Sequence, residues 1–275
     1  MNYYYLIFPL SYFFYNARKS YLKIDGEYFI NKNIVITGAS QGIGKEVAKK
    51  LKNKKCNLFL LARSFNDKKD GNILYKKCDC SNPNDLNNFV RELKLKIDIV
   101  INCAGAGDWK YLTEINDKEV LQSMNAPLFS SIFTIKYLLP YLKYNAQLIF
   151  VQSPVAYQPW SSCTMYSTSR WGMRGFIESL RADYDGKGLS ISEIVLAKTK
   201  SNYFINNPTA EKRFPLIGRI FGNLTVNKAA DEIIWTVSKK KERHIYPNLL
   251  KTVIYIQQIF PWLVRKLVLK FDYEQ

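Results

Sequence analysis

The segment Ile34–Gly44, which reads IVITGASQGIG, constrains the fold more than any other stretch of the chain. Its first three residues are all β-branched, as in a short strand that is covered on both faces. The glycines that follow are Gly38, Gly42 and Gly44. A side chain at such a turn would block the close approach of a phosphate, and a helix starting near Gly42 would direct its free N–H groups to the same point. We therefore predict a cradle for a dinucleotide pyrophosphate; an ordinary glycine-rich turn is the alternative.

Strands and helices alternate through the rest of the chain. The apolar runs predict strands over residues 33–37, 57–62, 73–78, 97–101, 146–152, 190–195 and 243–247. The segments between them predict helices over residues 42–54, 83–95, 116–144 (bent near Pro127) and 227–240. With 275 residues the chain can bury the core of one α/β domain, whereas two domains would be cramped. We predict an α/β fold, namely a single doubly wound Rossmann-type domain with a mostly parallel seven-stranded sheet.

Three polar residues are spaced so that they could assist the reduction of a carbonyl group by a bound cofactor. Ser153 ends one predicted strand, and Tyr166 and Arg170 are four residues apart, hence on one face of the next helix. Carbonyl reduction requires a hydride from one side and a proton on the oxygen. A phenol titrates at about 10 in water, so a neighbouring cation is needed to favour its ionised form. The serine can hydrogen-bond the same oxygen, and a cofactor supplies the hydride.

Five motifs, taken in order, resemble those of the short-chain dehydrogenase/reductase family. They are Thr37-Gly-x-x-x-Gly-x-Gly44, Asn102-Cys-Ala-Gly105, Asn125 within Met-Asn-Ala, Ser153, and Tyr166-x-x-x-Arg170. Twelve residues separate the serine from the tyrosine, which is the spacing of the family. The resemblance covers roughly residues 30–250 and implies a Rossmann-fold oxidoreductase that uses NAD(P).

The resemblance also implies roles for individual residues. The catalytic set is Ser153, Tyr166, Arg170 and Asn125, of which Asn125 would hold a water near the active site. Asp79 would touch the adenine, and the hydroxyl of Ser201 would reach the nicotinamide amide. The residues implied for cofactor binding are Thr37, Gly38, Ser40, Gly42, Ile43, Gly44, Arg63, Asp79, Asn102, Ala104, Gly105, Tyr166, Arg170 and Ser201.

The end of the second predicted strand bears on the choice of cofactor. In a dinucleotide fold the adenosine ribose lies there; an acidic residue binds the 2′-hydroxyl of NAD, whereas an arginine accommodates the 2′-phosphate of NADP. The residues at this end are Ala62, Arg63 and Ser64, none of which is acidic. We predict NADP(H) as the cofactor, the alternative being that Arg63 is a solvated loop residue.

Two positions depart from the family pattern. Arg170 stands where the family has lysine; it keeps the charge, but its guanidinium is bulkier and cannot give up a proton, so a relay through a lysine amine is lost. After the sixth strand, Leu196-Ala-Lys-Thr-Lys-Ser201 replaces the family's Pro-Gly-x-x-x-Thr. Both departures support an alternative function, that of a nucleotide-binding member with weakened turnover that serves as a sensor or scaffold.

The segment that follows the sixth strand indicates the kind of substrate. Residues 202–225 are expected to form a lid, and they are rich in Phe and Ile, as a pocket for an apolar molecule would be. The main prediction is therefore an NADP(H)-dependent oxidoreductase that acts on a ketone or secondary alcohol of an apolar, lipid-like small molecule. We also expect the protein to be a homo-oligomer.

Composition argues against several other classes of protein. The net charge of +17 is spread along the chain without a nucleic-acid motif, so no nucleic-acid partner is predicted. The five cysteines are odd in number, which fits free thiols in a reducing compartment. The one histidine, His244, gives no ligand pair for zinc and no nucleophile pair with a serine or cysteine, so no metal is predicted.

The two ends of the chain favour a membrane surface. Residues 1–17 carry no charge and precede Arg18 and Lys19, but the run is shorter than the roughly 20 apolar residues needed to span a bilayer. A secretory signal would have its charge before the apolar run, and the observed order would keep the domain on the cytosolic side. The final segment, 249–275, is apolar and basic, as in a helix that lies on a membrane.

These observations divide the chain into three parts. Residues 1–29 form an apolar N-terminal arm or a membrane-associating segment, residues 30–248 form the short-chain dehydrogenase/reductase Rossmann domain, and residues 249–275 form a basic apolar C-terminal helix. Packing of the arm on the domain, and a dimer contact or pocket cap at the C-terminus, are the alternatives. The location predicted is cytosolic-facing and membrane-associated, at the endoplasmic reticulum in a eukaryote, or cytoplasmic.

Overall fold

A computed structural model describes residues 25–107, 109–270 and 272. The strands are β1 (Asn33–Thr37), β2 (Asn57–Ala62), β3 (Lys68–Asp70), β4 (Ile73–Lys77), β5 (Ile97–Asn102), β6 (Leu142–Gln152), β7 (Leu189–Leu196), β8 (Thr199–Lys200), β9 (Leu224–Thr225) and β10 (Arg243–Tyr246). The α-helices are α1 (Gly42–Leu51), α2 (Pro83–Glu92), α3 (Asp117–Met124), α4 (Ser130–Leu138), α5 (Thr164–Tyr184), α6 (Asn202–Asn206), α7 (Pro208–Lys212), α8 (Leu216–Arg219), α9 (Val226–Ser238), α10 (Asn248–Ile259) and α11 (Pro261–Lys270). The predicted uncharged arm over residues 1–17 lies outside the described residues.

Eight strands form one sheet in the order β10-β7-β6-β5-β1-β2-β4-β3. All neighbouring pairs are parallel except β3 with β4. The chain runs outward from β1 through β2 to β4 and then returns to β5 on the other side of β1. A sheet whose strand order reverses in this way has a crevice at the carboxyl ends of its strands, between β1 and β5. The predicted doubly wound, mostly parallel α/β fold is confirmed.

Two apolar layers, one on each face of the sheet, form the core. Ile34 and Ile36 of β1 pack into the layer shared with α1, α9 and α10, and Val35 between them packs into the layer shared with α2, α4 and α5. All three side chains are fully buried. Burial of one such side chain stabilises a fold by about 1.5–3 kcal/mol. Because β1 is covered on both faces, each of these three positions is apolar.

The predicted count of seven strands is wrong, because β3 adds an eighth at one edge. β3 pairs antiparallel with β4 across the turn at Gly71, and all three of its residues are exposed. Its sequence, Lys-Lys-Asp, has no alternation of apolar and polar residues, so the sequence pattern does not predict a strand here. β6 also begins at Leu142 rather than at residue 146, because its first residues are largely exposed and carry no apolar run.

The single helix predicted over residues 116–144 is interrupted. α3 ends at Met124, α4 begins at Ser130, and one π-helical turn lies between them. Ala126 within this turn is extended, with φ −134° and ψ 117°. It precedes Pro127, whose ring disfavours helical backbone in the preceding residue.

The C-terminal segment forms two helices and not the single helix predicted over residues 249–275. α10 ends at Ile259, and α11 starts at Pro261. Proline has no N–H with which to continue a helix, but it fits the first turn of a new one, where that N–H would have no partner. Of the helices that the structure describes, none combines the length and the apolar character needed to cross a bilayer.

Candidate active site

A cavity of about 790 Å³ lies at the carboxyl ends of β1, β5 and β6, where the strand order reverses. All but two of the predicted site residues line it: Gly38, Ser40, Gly42, Ile43, Gly44, Arg63, Asp79, Ala104, Gly105, Asn125, Ser153, Tyr166, Arg170 and Ser201. The other two, Thr37 and Asn102, are buried and do not line the cavity. Thr37 Oγ1 accepts a hydrogen bond from the Ala104 N–H (3.2 Å), and Asn102 Nδ2 donates to the Ile149 carbonyl (3.3 Å). These two residues tie neighbouring strand ends together.

The glycine turn after β1 and the first turn of α1 form one wall of the cavity. Gly42 has φ +57°, a backbone conformation that side chains disfavour. A Cβ on Gly44 would lie 2.5 Å from the Gly38 carbonyl oxygen, so α1 can pack on the turn only without a side chain there. The Gln41 side chain makes no capping bond. The N–H groups that begin α1 are therefore left for an anion, as in other helix-terminal phosphate sites.

At the opposite wall, Tyr166 and Arg170 lie one turn apart on α5, beside the end of β6 that carries Ser153. The Arg170 guanidinium carbon is 5.2 Å from the centre of the Tyr166 ring. The hydroxyls of Ser153 and Tyr166 make no hydrogen bond to a residue that the structure describes, and both residues line the cavity. Two hydroxyls and a cation that packs on the tyrosine ring therefore line the same cavity.

Arg170 is almost completely buried, with 8% of its surface exposed. Its Nη1 donates to the Val151 carbonyl (2.8 Å), whereas its Nε has no partner among the described residues. A Cβ at Gly105 would lie 2.8 Å from Nη2. The bulkier arginine thus fits beside the end of β5 because residue 105 has no side chain.

Tyr203, a second tyrosine at the cavity, is already engaged. Its hydroxyl donates to the Gly107 carbonyl (2.8 Å) and accepts from Trp109 Nε1 (3.2 Å). Burial is the main cause that raises the pKa of Tyr203 well above its ordinary value. Tyr203 therefore stays protonated and holds α6 against the segment after β5, which leaves Tyr166 as the candidate acid.

The segment predicted as a lid, residues 202–225, begins with three short helices, α6 to α8, and aromatic rings pack it against the segment after β5. The Trp109 ring stacks on Phe214 of the lid at 5.6 Å between centroids and is tilted against Tyr166 at 6.2 Å. Arg213 donates to the Trp109 carbonyl (3.1 Å) and pairs with Glu114 through Nη2 (2.7 Å). Hydrogen bonding to Arg213 lowers the pKa of Glu114 to about 2. Side chains from three separate segments thus close this side of the cavity.

The segment that lacks the family's Pro-Gly turn is ordered by a second, two-stranded sheet. Thr199 and Lys200 of β8 pair in parallel with Leu224 and Thr225 of β9. Ser201 follows β8 and caps α6, its Oγ accepting from the Tyr203 N–H (3.3 Å). The pairing of β8 with β9 thus brings Ser201 to the cavity without a Pro-Gly turn.

Arg63 and Asp79 line the cavity where β2 and β4 end. The Arg63 side chain is exposed to solvent. Asp79 Oδ1 accepts from both the N–H and the hydroxyl of Ser81, at 2.9 and 2.7 Å. The Asp79 carboxylate is thereby fixed within its own turn. Arg63 directly follows β2 and places a positive charge at this end of the cavity.

The residues of this cavity fit a nicotinamide dinucleotide. The N–H groups that begin α1 suit a pyrophosphate. Arg170 Nε is a buried donor without a described partner, and such a group is costly unless a ligand hydroxyl, such as that of a ribose, satisfies it. Both ends of a long polar molecule therefore have matching groups.

Comparison with known proteins agrees with this geometry. The model of the short chain dehydrogenase family matches residues 32–212, which is more than half of the chain. The chain belongs to the short-chain dehydrogenase family. A short-chain dehydrogenase of Burkholderia cenocepacia, solved in complex with NADP, shares the fold with a TM-score of 0.76 at 16% identity, over 88% of this chain and 98% of that one.

Two curated relatives of this short-chain dehydrogenase are similar in sequence. The dehydrogenase RED2 of Cochliobolus heterostrophus is 30% identical over 54% of this chain, and the chain spans only 58% of its length. The 3-oxoacyl-(acyl-carrier-protein) reductase FabG of Buchnera aphidicola (from Acyrthosiphon pisum) is 28% identical over 74% of this chain and 89% of its own length.

Several residues of the short-chain dehydrogenase site escaped the sequence reasoning. They are Trp109, Gln152, Trp160, Tyr203 and Phe214, all of which line the cavity. None of them belongs to a spaced motif. The aromatic residues come together only when the lid packs on the segment after β5, and Gln152 meets Arg170 only when α5 packs beside β6. The aromatic residues of the stretch around 202–214 indicate an apolar pocket, but the sequence does not show which residues they contact.

Proposed function

We propose that this short-chain dehydrogenase is an NADP(H)-dependent oxidoreductase that interconverts a ketone and a secondary alcohol of an apolar, lipid-like molecule. One observation carries the proposal: the free hydroxyls of Tyr166 and Ser153 line one cavity with the guanidinium of Arg170 beside the tyrosine ring. The catalytic roles of these residues, and of Asn125 at the break between α3 and α4, belong to the proposal.

The residues would divide the reaction as follows. Bound NADPH supplies the hydride in chemistry of this kind. Tyr166 would donate its hydroxyl proton to the carbonyl oxygen, and Ser153 would hydrogen-bond the same oxygen as negative charge develops on it. Arg170 would favour the phenolate that remains, because an opposite charge nearby stabilises an ionised group.

The aromatic lid supports an apolar substrate. Trp109, Trp160 and Phe214 form a mutually packed group next to Tyr166. Pockets lined in this way bind predominantly hydrophobic ligands and use a few polar groups to orient them. The similarity to a 3-oxoacyl-(acyl-carrier-protein) reductase is consistent with a carbonyl on an aliphatic chain.

A lipid surface is the second partner that we propose, and the C-terminal helices support it. Ile259 and Trp262 have exposed fractions of 70% and 67%, and Phe260 between them is also exposed. Residues 248–270 include four basic residues and no acidic one. Exposed aromatic rings beside cations suit the interface of an anionic membrane. The protein would then face the cytosol from a membrane surface, as a homo-oligomer.

The alternative function, a sensor or scaffold with lost turnover, makes a different prediction for one variant. We expect the wild type to oxidise NADPH with some member of a panel of long-chain ketones. We expect Tyr166→Phe to lower kcat by about 100-fold or more, because loss of a general acid costs about that much, while the Kd for NADPH stays within about twofold. Steady-state turnover and fluorescence titration with NADPH measure the two quantities.

Tyr203→Phe is the matched control, since it removes one hydroxyl from the same cavity. That hydroxyl is bonded to Gly107 and Trp109, so its loss should loosen the lid and leave turnover measurable. Wild-type turnover by Tyr166→Phe, on a substrate that the wild type accepts, would refute the catalytic role and favour the scaffold.

A further inference from the structure

Gln152, the last residue of β6, joins two of the candidate catalytic residues through its buried side chain. Its Nε2 donates to the Arg170 carbonyl oxygen (2.9 Å). Its Oε1 accepts from Arg170 Nη1 (3.4 Å) and from the Ser153 N–H (3.3 Å). Only 3% of the residue is exposed. Both the amino group and the oxygen of this amide are therefore hydrogen-bonded to the candidate catalytic residues Ser153 and Arg170.

These bonds hold one edge of the guanidinium and leave the other edge free. Nη1 is bound by the Val151 carbonyl and by Gln152, whereas Nε has no partner among the described residues and Nη2 lies close to Gly105. A guanidinium is a planar fork, so a fixed Nη1 determines where Nε and Nη2 point. A lysine ammonium is a point charge on a flexible stem and needs no such support.

We propose that Gln152 is a positioning residue that orients the Arg170 guanidinium, so that Nε and Nη2 can serve a ribose hydroxyl while the charge stays beside Tyr166. Gln152 and Arg170 then form a matched pair that does together what the family's lysine does alone. The inference rests on the proposed function for the reaction, but its effect on cofactor affinity can be measured without turnover.

The test is a double-mutant cycle with Gln152→Leu, Arg170→Lys and the double variant. In the wild-type background we expect Gln152→Leu to raise the Kd for NADPH about three- to tenfold and to lower kcat by a similar factor, as the loss of one or two hydrogen bonds would. The acid limb of the kcat/KM profile for alcohol oxidation should also move to higher pH. In the Arg170→Lys background, Gln152→Leu should change these quantities clearly less than in the wild type. The bond to Nη1 is absent there, whereas the bonds to the carbonyl of residue 170 and to the Ser153 N–H are lost in both backgrounds.

Gln147→Leu is the control for a purely structural role. Gln147 is a second buried glutamine of β6, and it accepts from Tyr28 Oη and donates to the Val237 carbonyl away from the cavity. Its loss should lower the Tm and leave both the Kd and the pH profile unchanged. If Gln152→Leu does not fold, Gln152→Met replaces it in the cycle. Methionine has about the length of glutamine but cannot make the bonds of the amide to Nη1 and to the Arg170 carbonyl, so we expect the same changes in Kd and kcat as for Gln152→Leu.

Four results separate the possible failures. Equal effects of the Gln152 substitution in the wild-type and Arg170→Lys backgrounds, or a lowered Tm with an unchanged Kd and pH profile, would overturn the positioning role. A cycle that shows the expected coupling in Kd, from a protein that turns over no ketone or alcohol, would support the positioning role and refute the proposed enzyme. Absence of NADPH binding in the wild type would overturn both.

Discussion

At the scale of single residues, Arg63 is placed to select the cofactor. It is exposed, lines the cavity where β2 ends, and has neutral neighbours in Ala62 and Ser64. We expect NADPH to bind more tightly than NADH, and Arg63→Asp to weaken NADPH about tenfold or more, because it removes a charge-assisted contact and adds repulsion. Titration of both cofactors against wild type and variant measures this.

Arg91→Asp is the matched control for the change in net charge. Arg91 is exposed in the last turn of α2 and does not line the cavity. Its substitution should leave both dissociation constants unchanged. Equal affinity of the wild-type protein for NADPH and NADH would contradict the role of Arg63.

At the scale of elements, the ion pair of Arg213 with Glu114 closes the lid onto the segment after β5. We expect Glu114→Gln to raise the KM for the apolar substrate severalfold and to speed tryptic cleavage after Lys212, with the Kd for NADPH unchanged. The reason is that Arg213 then loses its ion pair with Glu114, while the glycine turn proposed to bind the cofactor is untouched. Limited proteolysis and steady-state kinetics give the two readouts.

The pH dependence of lid closure has a definite sign. The pKa of Glu114 is held at about 2 in the folded protein, below the ordinary value of about 4.3 for glutamate. The contribution of this group to closure is complete above a pH of about 4.3 and is lost as the pH falls towards 2. Between pH values of about 5 and 8 the cleavage rate should therefore show no titration of this group. Glu92→Gln, which breaks an exposed ion pair with Lys76, is the control that should leave the lid unchanged.

At the scale of the whole molecule, the face formed by α10 and α11 should decide where the protein resides. We expect the full chain to float with vesicles that contain anionic lipid and to do so less at high salt. Replacing Phe260 and Trp262 by serine should reduce flotation, because the apolar part of the contact is lost. Removing residues 1–17 should reduce it further, since stable anchoring usually takes two signals.

Exposed apolar residues elsewhere supply the control for this prediction. Leu95 and Leu121 are also exposed and lie outside α10 and α11. Their replacement by serine should leave flotation unchanged. Full recovery of the intact protein apart from vesicles would contradict the membrane proposal, and a concentration-dependent dimer that Trp262→Ser disrupts would assign this face to a second copy.

The sequence alone determined the parts of this protein that depend on neighbours along the chain. The β-branched run of β1, the glycines after it and the i, i+4 pair on α5 each act within a few residues, so their spacing predicts their geometry. Tertiary structure decided the rest. Tyr203 meets Gly107, and Gln152 meets Arg170, across long separations in sequence. Which polar groups become partners there depends on how the sheet, α5 and the lid pack, and no local pattern records it.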